Sequence, residues 1–178
     1  ALDLSIDSEF FYWISRHKPD RVLYPSSSAA YPVDLQTDGG AIALSETDID
    51  FKQMGQPDMT YGWTKLTGEF LAQITAKHYG VSIACIRPFS GYGEDQNLTY
   101  PIPAIAKRAA LKEEPFEVWG SGKQGRDFVH IDDVIDGVEM IVLKPSKDEN
   151  LYRLYNIGNS QPVKLLDFID TIEKTIGK

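Results

Sequence analysis

The sequence predicts an α/β fold built on a mainly parallel sheet. Two patterns carry this: helical and strand-like segments alternate along the whole chain, and the run Val81–Ile86 is continuously apolar, as in a strand covered by helices on both faces. In chain order, Leu4, Ile6, Phe10, Phe11, Trp13 and Ile14 recur at largely helical spacing from Leu4 to Arg16, and Pro19 ends that segment. Arg21 to Tyr24 reads as a short strand that runs into Pro25 and the cluster Ser26, Ser27, Ser28. Tyr31 to Thr60 is mostly Gly, Asp, Thr, Gln and Pro and reads as a long surface loop, a length that is uncommon unless functional.

A second helix starts at Pro57 or Thr60 and runs to His78, because Trp63, Leu66, Phe70, Leu71, Ile74 and Tyr79 recur at three- and four-residue steps, and Gly80 stops it. After the Val81–Ile86 strand come a helix from Pro101 or Pro103 to Leu111, strands at Glu117–Trp119 and Phe128–Ile131, and a helix from Asp132 to Leu143 with an acidic first turn. A strand at Leu154–Ile157 and a final helix after Gln161 to Ile176 complete the reading, with no internal repeat.

With 178 residues, 42% of them hydrophobic, the chain can bury one good core, so one domain or one domain with a small lobe is expected. A net charge of -8 argues against a general polyanion binder, and no nucleic-acid partner is expected. The single cysteine, Cys85, lies in the apolar run VSIACI and reads as a buried thiol, without a disulfide framework or a cysteine metal cluster. No stretch reaches the length of about 18 apolar residues that a membrane span needs, and the N-terminus lacks a signal-peptide layout. A cytoplasmic location with no membrane partner is the resulting expectation.

The most informative residues are Tyr61-Gly62-Trp63-Thr64-Lys65. A Tyr and a Lys four apart on a helix share one face, about 6 Å apart at the backbone. A phenol is a poor base near neutral pH, and a neighbouring ammonium stabilises its phenolate. Such a tyrosine can take a proton from a hydroxyl while the carbon beneath loses hydride. Alone the spacing is weak evidence, because it arises often by chance.

Its context is specific. The ordered segments PSSSAAYP, YGWTK, IRPFSGYG, GRDFVHIDD and YNIG resemble the extended short-chain dehydrogenase/reductases, and within them the NAD-dependent nucleotide-sugar epimerase/dehydratase group, over essentially the whole chain. The resemblance implies a partial Rossmann-like, doubly wound parallel sheet with a smaller α/β substrate lobe. Residues 1–94 would be the second half of the NAD-binding domain, and residues 95–178 mainly the nucleotide-sugar region, interleaved with it. It also implies that Ser27 hydrogen-bonds the reacting hydroxyl, with Ser28 as the nearby rival, that Tyr61 is the acid/base, and that Lys65 polarises Tyr61 and holds the nicotinamide ribose. Phe89 would touch the nicotinamide. Ser90, standing where relatives carry Asn, and Asn97 would contact the substrate. Trp119 would lie against the nucleobase, with a packed core residue as the equal alternative, and Arg126 would clamp the diphosphate.

Within the family, dehydratases follow the catalytic hydroxyl with Asp and Glu, where this chain has Ser28 and Ala29; decarboxylating relatives place Glu, and GDP-mannose 3,5-epimerases Cys, at the position of Ala29. The remaining set suits C4 epimerisation through a transient 4-keto sugar. A keto-sugar reductase and a non-catalytic binding module are the alternatives. The interval between Ser27 and Tyr61 exceeds that of the common UDP-galactose 4-epimerases, and Tyr31-Pro32 is similar to the GDP-mannose branch. A UDP-sugar is the expected substrate, with GDP- and CDP-sugars compatible.

The resemblance implies no metal. His130 is expected to be structural, and Asp132 to cap the following helix. The resemblance also implies a homodimer in which the first helix and the Tyr61 helix pair as a four-helix bundle; Phe11, Trp13, Trp63 and Phe70 would supply its apolar surface, with packing inside the chain's own core as the alternative. The glycine-rich strand–turn–helix that opens complete members is missing from these residues, so the fragment alone is expected to bind NAD poorly and to be inactive.

Overall fold

The computed structural model describes residues 2–37, 43–50, 52, 55–116, 121–123, 125–143, 150–159 and 161–176. The expected strand at Glu117–Trp119 lies outside the described residues. Three strands form the central sheet: β1 (Arg21–Pro25), β2 (Ser82–Pro88) and β6 (Tyr152–Ile157), in the order β1-β2-β6. All pairings are parallel, with Leu23 opposite Ala84 and Ile86 opposite Tyr155. The middle strand, β2, is buried from Ser82 to Arg87, as its unbroken apolar run predicts.

Successive β2 side chains go to opposite faces, which makes the sheet doubly wound. Ile83 and Cys85 join a core with Phe11, Ile14, Tyr24, Ala72, Ala76 and Val81. That core belongs to α1 (Leu2–His17) and α3 (Met59–Tyr79), which pack on one another and on this face. Ala84 and Ile86 point the other way, to Val129, Val134, Ile141 and Ile157 under α5 (Ile131–Leu143).

The glycines of α3 are where the helix touches its neighbours. A Cβ on Gly68 would overlap the phenol oxygen of Tyr24, which itself donates 2.7 Å to the buried Asp7 Oδ2 of α1. Gly68→Ala is therefore expected to cost about 1–3 kcal/mol in urea unfolding of the complete gene product, despite the gain in helix propensity. Gly80 ends the helix in the left-handed region (φ 72°), its amide bonded to the Ala76 carbonyl at 3.0 Å, as its position in the sequence predicts.

Three small strands were not expected. β3 (Ser90–Tyr92) pairs in parallel with β5 (Phe128–His130), and β4 (Gly125–Arg126) pairs antiparallel with β7 (Val163–Lys164). Each is two or three residues long, too short for a period to show. α4 (Pro101–Ala110) takes Pro101 as its first residue, and α6 (Leu165–Ile176) packs against α4. At the start of α5 the His130 ring nitrogen Nδ1 takes the Asp132 amide at 3.3 Å. His130 therefore caps this helix, and Asp132, the expected cap, lies inside the first turn.

The segment between Tyr31 and Thr60 is more than a surface loop. It contains the short helix α2 (Asp34–Thr37), a bridge between Pro32 and Pro57, and the fully buried Tyr31. Asn156 of β6 holds it down, donating from its side chain to the Leu44 carbonyl (2.9 Å) and from its backbone to Glu46 Oε1 (2.7 Å).

Burial raises the pKa of Cys85 to about 12, with the Glu69 charge adding to the effect, and it also holds the Tyr24 and Tyr152 phenols above their ordinary range. A raised folded-state pKa means the folded chain keeps a proton that the unfolded chain releases, so the stability is complete below the unfolded value and is lost as pH rises toward the folded one. The midpoint of urea unfolding is expected to fall steadily from about pH 9 upward.

Candidate active site

Because β1 and β2 run parallel, Pro25 and Pro88 end on the same edge of the sheet, where open α/β sheets bind ligands. Beyond Pro25 the chain turns sharply. Ser27 caps the 3-10 turn Ser28–Ala30, its Oγ accepting the Ala29 amide at 3.1 Å. The hydroxyl keeps its own proton as a donor. The Ser28 carbonyl accepts the Tyr31 amide, which closes the turn.

The first turn of α3 is set directly against this turn. The Asp58 amide donates to the Ala29 carbonyl at 3.1 Å, and a Cβ on Gly62 would overlap that same oxygen. Gly62 is thus the residue that lets the helix bearing Tyr61 close on the turn bearing Ser27. Tyr61 is 46% exposed, so its phenol is open to a ligand. Lys65, one turn on, donates from Nζ to the Pro25 carbonyl at 2.9 Å. Its ammonium sits 5.7 Å from the Tyr61 ring centre and 5.3 Å from that of Tyr24, within cation–π range of both.

Below this surface lies a group of buried polar residues: Ser26, whose place in the serine cluster suggests a hydroxyl that satisfies turn backbone groups, bonds a carboxylate instead, and its partners Glu69 and Arg87 carry no sequence-based expectation. Ser26, Glu69 and Arg87 are each no more than 5% exposed. Ser26 Oγ donates to Glu69 Oε1 at 2.5 Å; Arg87 donates to the same oxygen from Nε (2.8 Å) and to Oε2 from Nη2 (2.6 Å). The guanidinium lies 4.5 Å from the centre of the Tyr31 ring, and the Tyr31 hydroxyl donates toward the Ser45 carbonyl and Asn156 Oδ1 at 2.9 and 2.8 Å. Burial pulls the Arg87 pKa down, but the hydrogen bonds and charge of Glu69 more than reverse this, so the ion pair stays charged. A signal existed: Glu69 stands four residues after Lys65 and eight after Tyr61, a charge at a core position of the helix.

A second part of the edge is a cleft of about 200 Å³ that brings together Phe89, Ser90 and Arg126 with Gln96, Tyr100 and Phe128. Its position follows from β3 and β5, whose pairing puts Ser90 opposite Phe128. Arg126 is exposed on β4. Asn97 is not part of this lining. Its Oδ1 accepts the Thr99 amide and its carbonyl accepts the Tyr100 amide, both at 3.0 Å, so it shapes the approach to α4. Trp119 lies outside the described residues.

The chain matches the model of the NAD dependent epimerase/dehydratase family over residues 4–158. It belongs to that family. Protein MJ1055 of Methanocaldococcus jannaschii is 35% identical over 168 residues, which are 94% of this chain and 47% of that protein. A dTDP-4-dehydro-6-deoxy-D-allose reductase of a Streptomyces species is 27% identical, covering 82% of this chain and 44% of its own length. The crystal structure of UDP-glucuronic acid 4-epimerase from Bacillus cereus, in complex with UDP-glucuronic acid and NAD, superposes with a TM-score of 0.77 at 26% identity. That superposition covers 99% of this chain and 52% of that one. The chain spans about half the length of the relatives it matches.

NAD is the cofactor of this epimerase/dehydratase family. The residues present fit one end of it. An ammonium has three donors, of which Pro25 takes one, and beside it stands an exposed phenol at the carboxyl edge of a parallel sheet. This donor set suits a ribose diol next to a reacting hydroxyl. The sequence has no G-x-x-G-x-x-G run, so the pyrophosphate end finds no such cradle in these residues. Among the described residues no cluster of three or more His, Cys, Asp or Glu could hold a metal, and no helix is long and apolar enough to cross a membrane.

Proposed function

We propose that the protein carrying this chain is an NAD-dependent nucleotide-sugar 4-epimerase acting on a UDP-sugar. One observation supports the reading: the helix turn that carries Tyr61 and Lys65 lies against the strand-end turn that carries Ser27, through Gly62 at the Ala29 carbonyl and Lys65 at the Pro25 carbonyl, with Ser28 and Ala29 filling the two positions after Ser27. Neither can act as an additional acid or base, as elimination of water would require. Glu69, the buried carboxylate beneath, is committed to Arg87 and Ser26.

In this reading Lys65 stabilises the phenolate of Tyr61, which takes the proton of the sugar hydroxyl that Ser27 hydrogen-bonds and becomes the neutral phenol. NAD, when bound, would supply both the acceptor and the donor of a hydride at that carbon. Tyr61 then returns the proton after the keto sugar has turned its other face. Phe89 lies on the nicotinamide side, Ser90 and Arg126 hold the diphosphate in the cleft between β3 and β4, and Trp119 contacts the nucleobase, whereas Asn97 shapes the approach to α4 outside that cleft. Residues 1–94 act as the second half of the cofactor domain, and residues 95–178 mainly hold the nucleotide sugar.

A homodimer through α1 and α3 goes with this reading. Trp13 is 48%, Trp63 40% and Phe70 50% exposed, whereas Phe11 faces the core. A keto-sugar reductase is the second reading, favoured by the likeness to the Streptomyces enzyme. The test is incubation of the complete gene product with NAD and a panel of UDP-, GDP- and CDP-sugars, followed by NMR. Interconversion of C4 epimers without net change in NADH supports the epimerase, stoichiometric NAD(P)H consumption the reductase, and no turnover a non-catalytic module.

A further inference from the structure

We infer that Glu69 is a positioning residue for the active site, acting through Ser26 on the turn that carries Ser27; the inference rests on the epimerase reading above. The Glu69 carboxylate is a three-way junction. It accepts from Ser26 at the end of β1, from Arg87 near the end of β2, and it is itself part of α3. Each of these elements carries one piece of the site: Ser27 follows Ser26, Tyr61 and Lys65 precede Glu69 on the same helical face, and Phe89 and Ser90 follow Arg87.

The chemistry of the junction argues for alignment over cohesion. Burying a carboxylate and a guanidinium is expensive, and apolar side chains of similar volume commonly hold a helix to a sheet at least as well. Directional bonds do what apolar contacts do not: they fix how far the helix slides along the strands. The Ser26 amide also donates to the Ile86 carbonyl at 2.8 Å, so both ends of this residue are tied, one to β2 and one to Glu69. With Ser26 fixed, the only freedom left to Ser27 is in its own turn, which the Ala29 and Ala30 amides close.

Ser26→Ala tests this, because it cuts the link to the turn and leaves the Glu69–Arg87 ion pair in place. In the complete gene product, kcat is expected to fall by about 10- to 100-fold with KM for the nucleotide sugar unchanged. Exchange of the Ala29 and Ala30 amides should quicken more than about tenfold while that of the β2 amides stays as in wild type. Ser26→Thr, which keeps the hydroxyl, should restore both. If the wild-type protein turns over no nucleotide sugar, the epimerase reading fails and the exchange data alone decide on the junction. Unchanged exchange at Ala29 and Ala30 in Ser26→Ala would overturn the inference.

Discussion

Tyr61→Phe is expected to lower turnover of the nucleotide sugar by about 10²- to 10⁴-fold, the range of general acid–base catalysis, while leaving the fold intact. The phenol ring is half exposed, and among the described residues α3 is held by Gly62 against Ala29 and by Gly68 against Tyr24 rather than through the Tyr61 oxygen. The loss should fall on kcat, because the hydroxyl acts when the proton moves, with binding of the nucleotide half nearly unaffected. Lys65→Met is the informative companion. It removes a charge that also bonds the Pro25 carbonyl and faces the Tyr24 ring, so it should weaken cofactor binding as well as turnover. NMR of sugar interconversion together with NAD titration separates the two variants.

Arg87→Met is expected to cost about 3–5 kcal/mol of stability, because it strands the Glu69 carboxylate in the core. Replacing both partners, as Glu69→Leu with Arg87→Met, should recover most of that loss, since no charge is then left unpaired. Urea unfolding of wild type, single and double variants of the complete gene product measures this directly. A double variant as unstable as the single one would show that the pair contributes through its bonds rather than through the cost of separating it. The Tyr31 ring, stacked on the same guanidinium, should lose part of its anchoring in both variants.

The same residues show how far the chain could be read without coordinates. The five longer helices were legible because each repeats a period over several turns, and the three main strands because each is a short apolar run; α2 lies in a segment that reads as a loop. The Tyr61–Lys65 pair was legible because four residues on a helix guarantee a shared face. Gly80 was legible as a stop because only a left-handed residue ends the helix there. What escaped the reading depends on contacts distant in sequence. Glu69 and Arg87 are each unremarkable charges until α3 is laid across β2, 18 positions separating them. Asn156 docks a segment more than 100 positions away, and β3, β4 and β7 exist only through their partners. The cap of α5 was misplaced by two residues, because a histidine ring nitrogen took the role expected of the carboxylate that follows it.

In the proposed function, Ser27, Tyr61 and Lys65 serve oxidation and re-reduction at one carbon of a nucleotide sugar. The most direct measurement uses the complete gene product, NAD, and a UDP-sugar carrying deuterium at C4, with the product followed by NMR and mass spectrometry. Epimerised product that keeps its deuterium at C4, formed without release of NADH and slowed by about 10²- to 10⁴-fold in Tyr61→Phe, is the expected result. Exchange of that deuterium with solvent, or epimerisation at the wild-type rate in Tyr61→Phe, would contradict it.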